Sequence, residues 1–199
     1  MYACEQPSGY VDNTSDCADS DANTYNGAAF NESETECMTD ADGDGYGDPN
    51  PSIPGAQAGT DCDDSDPNTY IGAAYNDSTT ECMTDADGDG FGDWLPGTQI
   101  VQAGSDCDDG NSDINIEGVE VCGDGVDNNC DGNIDDGSAL DALTWYLDSD
   151  GDGYGDPNSS VQACSQLSGY VSDNTDCDDN DDTTYVGAAY NDDPAACMS

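Results

Sequence analysis

Hydrophobic positions along this chain come in short, isolated groups, and no window repeats them at the helical period. Strands are predicted where a few apolar or β-branched residues lead into acidic segments: Thr144 to Leu147, the equivalent Cys37-Met-Thr39 and Cys82-Met-Thr84, and a further one around Val119 to Cys122. Gly, Asn, Asp and Ser dominate elsewhere and favour turns. The expected fold class is therefore small, mostly irregular all-β, with little regular secondary structure.

Composition explains how thin that pattern is. Leu, Ile, Val and Phe together supply 21 of 199 residues, roughly half the share below which a highly charged chain fails to build a core. Acidic residues number 46, 39 of them Asp, against no Lys, Arg or His, for a net charge of -46. Without a cationic side chain the protein has no footprint for phosphates, so nucleic acid is excluded as a partner. Catalysis through His, Lys or a Ser/His/Asp arrangement is excluded with it. An acid-pair glycosidase needs two singled-out carboxylates, and none stands apart here; no enzymatic activity is expected. No stretch approaches the length of a membrane span, and the first residues have neither the basic nor the apolar run of a signal peptide. Eleven cysteines in such a chain point to a disulfide framework and to an oxidising compartment, the extracellular space or cell surface. Self-repulsion of like charges must be offset by bound cations.

Internal repeats set the organisation. Asp40-Ala-Asp-Gly-Asp-Gly-Tyr-Gly-Asp48 recurs as Asp85-Ala-Asp-Gly-Asp-Gly-Phe-Gly-Asp93 and Asp148-Ser-Asp-Gly-Asp-Gly-Tyr-Gly-Asp156. Asp-Cys-Asp-Asp stands at Asp61 to Asp64, Asp106 to Asp109 and Asp176 to Asp179, with a degenerate copy at Asp16-Cys17-Ala18-Asp19. A Tyr-x-Gly-Ala-Ala-aromatic-Asn segment follows at Tyr25, Tyr70 and Tyr185, its aromatic residues (Phe30, Tyr75 and Tyr190 included) expected to form a mini-core and to pack between modules. Four modules result: residues 1–37, 38–82, 83–143 with an additional loop, and 144–199. Met1-Tyr-Ala-Cys4 aligns with Val161-Gln-Ala-Cys164, and Cys197-Met-Ser199 with Cys37-Met-Thr39, so both ends are expected to cut through a module. Continuation into a longer array, or self-association through completed ends, follows.

The Asp ladders carry the chemistry. A hard cation takes six to eight oxygens, and Asp at loop positions 1, 3 and 5 with Gly at 6 aims several carboxylates at one point. The candidate ligands are Asp40, Asp42, Asp44, the Tyr46 carbonyl and Asp48; Asp85, Asp87, Asp89, the Phe91 carbonyl and Asp93; and Asp148, Asp150, Asp152, the Tyr154 carbonyl and Asp156. Pro51 stands where an EF-hand has its bidentate Glu, so remote carboxylates must complete the shell. The donors expected are Asp61, Asp63, Asp64 and Asp66; Asp106, Asp108, Asp109 and Asp113; Asp176, Asp178, Asp179 and Asp181; and, from the degenerate copy, Asp16, Asp19 and Asp21. A different loop, with Asp127, Asn129, Asp131, Asn133 and Asp135, predicts a fourth site. Calcium is expected over copper, which prefers His, Met and free Cys: His is absent, and Met38, Met83 and Met198 each follow a cysteine expected to be oxidised.

With these elements together, Asp148 to Asp156, Gly169-Tyr-Val171, Asp176-Cys-Asp-Asp179 and Glu120-Val-Cys-Gly-Asp-Gly-Val-Asp-Asn-Asn-Cys-Asp-Gly132 resemble the MopE-type metal-binding repeats of bacterial and archaeal surface proteins. The Asp ladders are also similar to the calcium loops of thrombospondin type 3 repeats. The resemblance covers nearly the whole chain and implies a secreted, calcium-stapled, disulfide-bonded linear array. No Cys precedes Asp61 or Asp106 within its repeat, and only one copy has the Asp-Asn-Asn-Cys segment, which are departures from the pattern.

Module position sorts the cysteines into Cys17 with Cys37, Cys62 with Cys82, Cys107 with Cys122 and Cys177 with Cys197, leaving Cys130 for Cys164 and Cys4 without a local partner. Asn13, Asn31, Asn76 and Asn158 begin N-glycosylation sequons, which adds glycans to the expected partners. The expected function is an extracellular calcium-binding structural repeat protein, a segment of a fibre, stalk or surface layer. A metal-sequestering or calcium-dependent carbohydrate-binding module is the alternative.

Overall fold

A computed structural model describes residues 15–188 and 197–198. Among them there is no helix, only short antiparallel strands joined by turns and loops. The chain divides into two compact units, Met1–Asn115 and Ile116–Ser199.

In the first unit, β1 (Thr24–Asn26) pairs with β2 (Cys37–Thr39), and β3 (Thr69–Ile71) pairs with β4 (Cys82–Thr84). Thr24 faces Thr39 and Thr69 faces Thr84, and each pair joins its hydroxyls, at 2.8 and 2.7 Å. Strands this short are marginal alone, so other ties hold them. The Asp-Cys turn adds along the outer side of the first strand: the Asn26 N–H donates to the Ser15 carbonyl, and the Ile71 N–H to the Thr60 carbonyl. Disulfides Cys17–Cys37 and Cys62–Cys82 then fix that turn to the second strand.

The small cores of the first unit are built mainly on alanine and methionine. Ala28, Ala29, Ala73 and Ala74 of the Gly-Ala-Ala turns are buried with Met38 and Met83, whereas Phe30 and Tyr75 are each 57% exposed. Tyr25, Phe30 and Tyr75 of the expected aromatic mini-core therefore lie at the surface, whereas Phe91 of the second Asp ladder is buried. Two aromatic pairs do stack: Tyr46 on Tyr70 at 4.1 Å between centroids and, in the second unit, Tyr154 on Tyr185 at 4.0 Å. Tyr190 lies outside the described residues.

In the second unit β5 (Leu143–Leu147) is central, flanked by β6 (Ser160–Ala163) and β7 (Tyr170–Val171). β8 (Tyr185–Val186) pairs with β9 (Cys197–Met198), and Cys177–Cys197 repeats the local staple. The predicted strand at Val119 to Cys122 does not form. Side chains take its hydrogen bonds instead: Val121 N–H donates to Asn128 Oδ1 and Cys122 N–H to Asp141 Oδ1.

The disulfide pattern departs from expectation in this region. Cys122 is bonded to Cys164, not to Cys107, and Cys130 is therefore not the partner of Cys164; Cys107 and Cys130 are themselves disulfide-bonded. The physical cause is the β5–β6 pairing. Leu143 opposite Ala163 carries Cys164 back to the segment that holds Glu120, where the Leu140 N–H donates to the Glu120 carbonyl. Cys4 and Asn13 lie outside the described residues.

Candidate metal centre

Each Asp loop begins where a strand ends: Asp40 follows β2, Asp85 follows β4 and Asp148 follows β5. The first aspartate clamps the turn with both oxygens. Asp40 Oδ1 accepts from Gly43 N–H at 2.7 Å and Oδ2 from Gly45 N–H at 3.0 Å; Asp85 does the same with Gly88 and Gly90, and Asp148 with Gly151 and Gly153. The next two aspartates each bind the amide two residues ahead with one oxygen. Asp42 Oδ1 accepts from Asp44 N–H and Asp44 Oδ1 from Tyr46 N–H, with equivalent bonds at Asp87, Asp89, Asp150 and Asp152. Their second oxygens turn inward.

Gly45 shows why the ladder needs glycine. Its φ of 92° is left-handed, and a side chain there would run into the Phe30 ring and Asn31 Nδ2. Those neighbours hold the loop from outside. Asn31 N–H donates to the Gly45 carbonyl and Asn31 Nδ2 to the Asp44 carbonyl, at 2.9 Å each; Asn76 repeats both bonds on Gly90 and Asp89.

The remote carboxylates arrive by backbone pairing. Asp61 N–H donates to the Gly47 carbonyl, Asp106 N–H to the Gly92 carbonyl and Asp176 N–H to the Gly155 carbonyl. This threads each Asp-Cys turn beneath its loop. Asp64 accepts from Ala41 N–H at 2.8 Å, Asp109 from Ala86 N–H at 2.9 Å and Asp179 from Ser149 N–H at 2.7 Å, so a second acid reaches the loop entrance.

Among the described residues five carboxylate triads result, each with ligand oxygens within 4.8 Å of one another: Asp40, Asp42 and Asp64; Asp42, Asp44 and Asp61; Asp85, Asp87 and Asp109; Asp87, Asp89 and Asp106; and Asp148, Asp150 and Asp152. In the first two loops the middle aspartate, Asp42 or Asp87, belongs to two triads. Asp61 and Asp106 are 0% exposed, yet Oδ2 of each is buried without a hydrogen-bond partner, as are Oδ2 of Asp42, Asp44, Asp87, Asp150, Asp152 and Asp176. Such oxygens are costly to bury. Burial is the main reason that Asp61 and Asp109 are pushed up to about 7, and Asp44, Asp64 and Asp106 to about 6, with neighbouring aspartates adding to the rise and backbone N–H donors opposing it. No cationic side chain in the sequence can neutralise these sites, which leaves protons or cations from solution. All-oxygen donors with orphaned buried lone pairs fit a hard metal ion.

Other sequence candidates sit elsewhere. Asp48, Asp93 and Asp156 cap the following turn through Asn50, Leu95 and Asn158 N–H groups and belong to no triad. Asp63 binds the Ser65 hydroxyl, and Asp108 and Asp178 likewise belong to no triad. Tyr46, Phe91 and Tyr154 hold position 7 through their N–H bonds to Asp44, Asp89 and Asp152. Asp66, Asp21 and Asp181 each accept from the amide two residues on, and Asp66 lies near enough to Asp42 to raise it. The third copy places Asn111, not the exposed Asp113, in that capping role: Asn111 Oδ1 accepts from Asp113 N–H, and the Asn111 backbone also reaches Asp87. Counting from Asp106 would have found it. Asp16 and Asp19 are exposed and join no triad among the described residues.

The Asp127 loop is differently built. Asp127 clamps Asp131 and Gly132 N–H groups, Asn129 Nδ2 bonds Ser138, Asn133 N–H bonds Asp131 Oδ1, and Cys130 and Asp135 are left-handed at φ 53° and 52°. Its organiser, missed in the sequence, is buried Glu120, which accepts from Asn128 and Asp135 N–H at 2.9 Å each. No triad of acids forms there among the described residues.

Four segments, residues 16–29, 61–89, 106–136 and 176–189, match the Cu-binding MopE family model, described as "Putative metal-binding motif". In these four segments the chain is similar to the MopE-type motif. The matched segments contain the Asp-Cys turns, the Asp85–Asp89 ladder and the Asp127 loop. No curated protein and no solved structure matches the chain.

Proposed function

We propose that this chain is an extracellular calcium-binding structural repeat protein, a segment of a fibre, stalk or surface layer, without enzymatic activity. The observation that carries the reading is the set of fully buried, unpartnered aspartate oxygens turned into triads in a protein with no positive side chain. Calcium accepts many oxygens in flexible geometry. Copper, named in the label of the matched family model, favours imidazole, thioether or thiolate. Here His is absent, Met38 and Met83 are buried in the alanine core, and the described cysteines are oxidised. Asp42 and Asp87 each belong to two triads and would hold an ion together with either neighbouring group in the first two loops. Binding energy then becomes folding energy, as in other metal-dependent small modules. Oxidised cysteines support an exterior location. Repetition of one module supports assembly into an array, and the exposed sequon Asn31 is a place for sugar.

The test is exhaustive chelation followed by calcium or copper addition, read by near-ultraviolet circular dichroism, protease resistance and metal content of the desalted protein. The expected result is a weakened near-ultraviolet signal and lower protease resistance in chelator, recovery with calcium but not copper, and several calcium ions per chain. Structure and protease resistance unchanged after metal removal would overturn the reading.

A further inference from the structure

The three Asp ladders look equivalent in sequence but differ at the residue nine positions after each Asp-Cys turn begins. Tyr70 and Tyr185 stand there for the first and third loops and stack on Tyr46 and Tyr154. The second loop has Asn115 instead, 8% exposed, and its Nδ2 donates to Asp89 Oδ2 at 2.7 Å. The corresponding oxygens, Asp44 Oδ2 and Asp152 Oδ2, are buried without a partner. The same Asn115 nitrogen also faces the Ser112 carbonyl at 3.5 Å, so turning the amide over would set oxygen against oxygen. Asn115 is thereby held as a donor. Its target belongs to the triad of Asp87, Asp89 and Asp106, where Asp106 is fully buried with an unpartnered oxygen aimed at the same point.

We propose that Asn115 is a positioning residue that makes the second loop's Asp89 site close at lower cation concentration than its counterpart in the first loop. The inference rests on the calcium reading above. A carboxylate already held by an amide donor keeps its inward geometry before the ion arrives, so less of the binding energy goes into closing the loop. Supporting hydrogen bonds of this kind change metal affinity by about 10–100-fold. The module array is therefore graded: the second loop orders first, and the first loop, with its bare Asp44 oxygen, follows as calcium rises.

The experiment is peptide-resolved hydrogen exchange on the full, disulfide-intact chain across a calcium titration, with Asn115→Tyr and the reciprocal Tyr70→Asn. In the native protein, residues 85–93 should gain protection at about 10-fold lower calcium than residues 40–48. Asn115→Tyr, which installs the residue type the other modules use, should raise the 85–93 midpoint by about 10-fold and leave 40–48 unmoved. Tyr70→Asn should lower the 40–48 midpoint, a gain that structural damage would not produce. A common midpoint for both loops in the native chain, or an Asn115→Tyr variant that shifts both loops or neither, overturns the proposal. If calcium protects neither loop, the cation reading itself falls, and this inference with it.

Discussion

Asp61→Asn should stabilise the chelated protein and destabilise the calcium-loaded one. The side chain is fully buried; Oδ1 accepts from Asp63 N–H at 2.9 Å, and Oδ2 has no partner. Asparagine preserves the shape and the Oδ1 bond, removes one charge, and puts an NH2 donor where the orphaned oxygen was, facing Asp42 and Asp44. Burial has moved the carboxyl from the ordinary 3.8 to about 7, which opposes folding at neutral pH by at most ~4 kcal/mol. Water and salt at the loop rim screen that figure to ~1–2 kcal/mol. In chelator the substitution should therefore raise the melting temperature by roughly 4–8 °C for a unit of this size. With calcium the sign reverses, because a ligand oxygen is gone; affinity at the triad should fall by at least about 10–100-fold, ~1.4–2.7 kcal/mol. Paired thermal melts in chelator and in millimolar calcium, followed by circular dichroism, read both effects. Equal destabilisation in the two conditions would make Asp61 an ordinary buried acceptor and refute its place in a metal site.

The pH dependence should likewise change sign with the ion. Asp44, Asp61, Asp64, Asp106 and Asp109 sit at about 6 to 7 in the folded chain, above the ordinary 3.8, so between about pH 4 and 7 the metal-free fold binds more protons than the unfolded chain and gains stability on acidification. Calcium holds the same groups ionised, so the loaded protein should lose stability over that window as protons compete; parallel melting curves with and without calcium would contradict this. Glu120→Gln replaces an acceptor of two backbone N–H groups, from Asn128 and Asp135, with a group that can accept only one well. The expected cost is about 2–3 kcal/mol, seen as faster exchange at residues 128–135 with the 40–48 loop unaffected.

What the sequence made legible is what is encoded over a few residues. Asp at alternate positions with Gly between them dictates a tight turn whose carboxylates bind amides a few residues ahead: Asp40 takes those three and five on, Asp42 and Asp44 those two on, at 2.7–3.2 Å. Local disulfides were readable for the same reason: Cys17–Cys37, Cys62–Cys82 and Cys177–Cys197 share a separation of 20 residues. Cys107 to Cys122 breaks that interval, a signal that module order alone passes over. Cys122–Cys164 spans 42 residues and exists because β6 returns alongside β5, a pairing that no local pattern announces. Glu120 was hidden likewise, since a single glutamate among so many acids is distinguished only by the two amides that converge on it.

The small core and the acidic loops are consequences of one another. Alanine and methionine under two-stranded ribbons bury too little apolar surface to offset the entropy of ordering long loops, and the disulfides constrain only the segments they close. Placing Asp61 and Asp106 at 0% exposure with unpartnered oxygens adds a further cost. A chain that buries its most strongly hydrated groups should be only marginally stable as a bare polypeptide and gain stability if ions occupy the triads. On the proposed calcium reading, that conditional stability would suit a protein made in one ionic environment and used in another: the carboxylates that hold it together where calcium is abundant would push it apart where calcium is scarce.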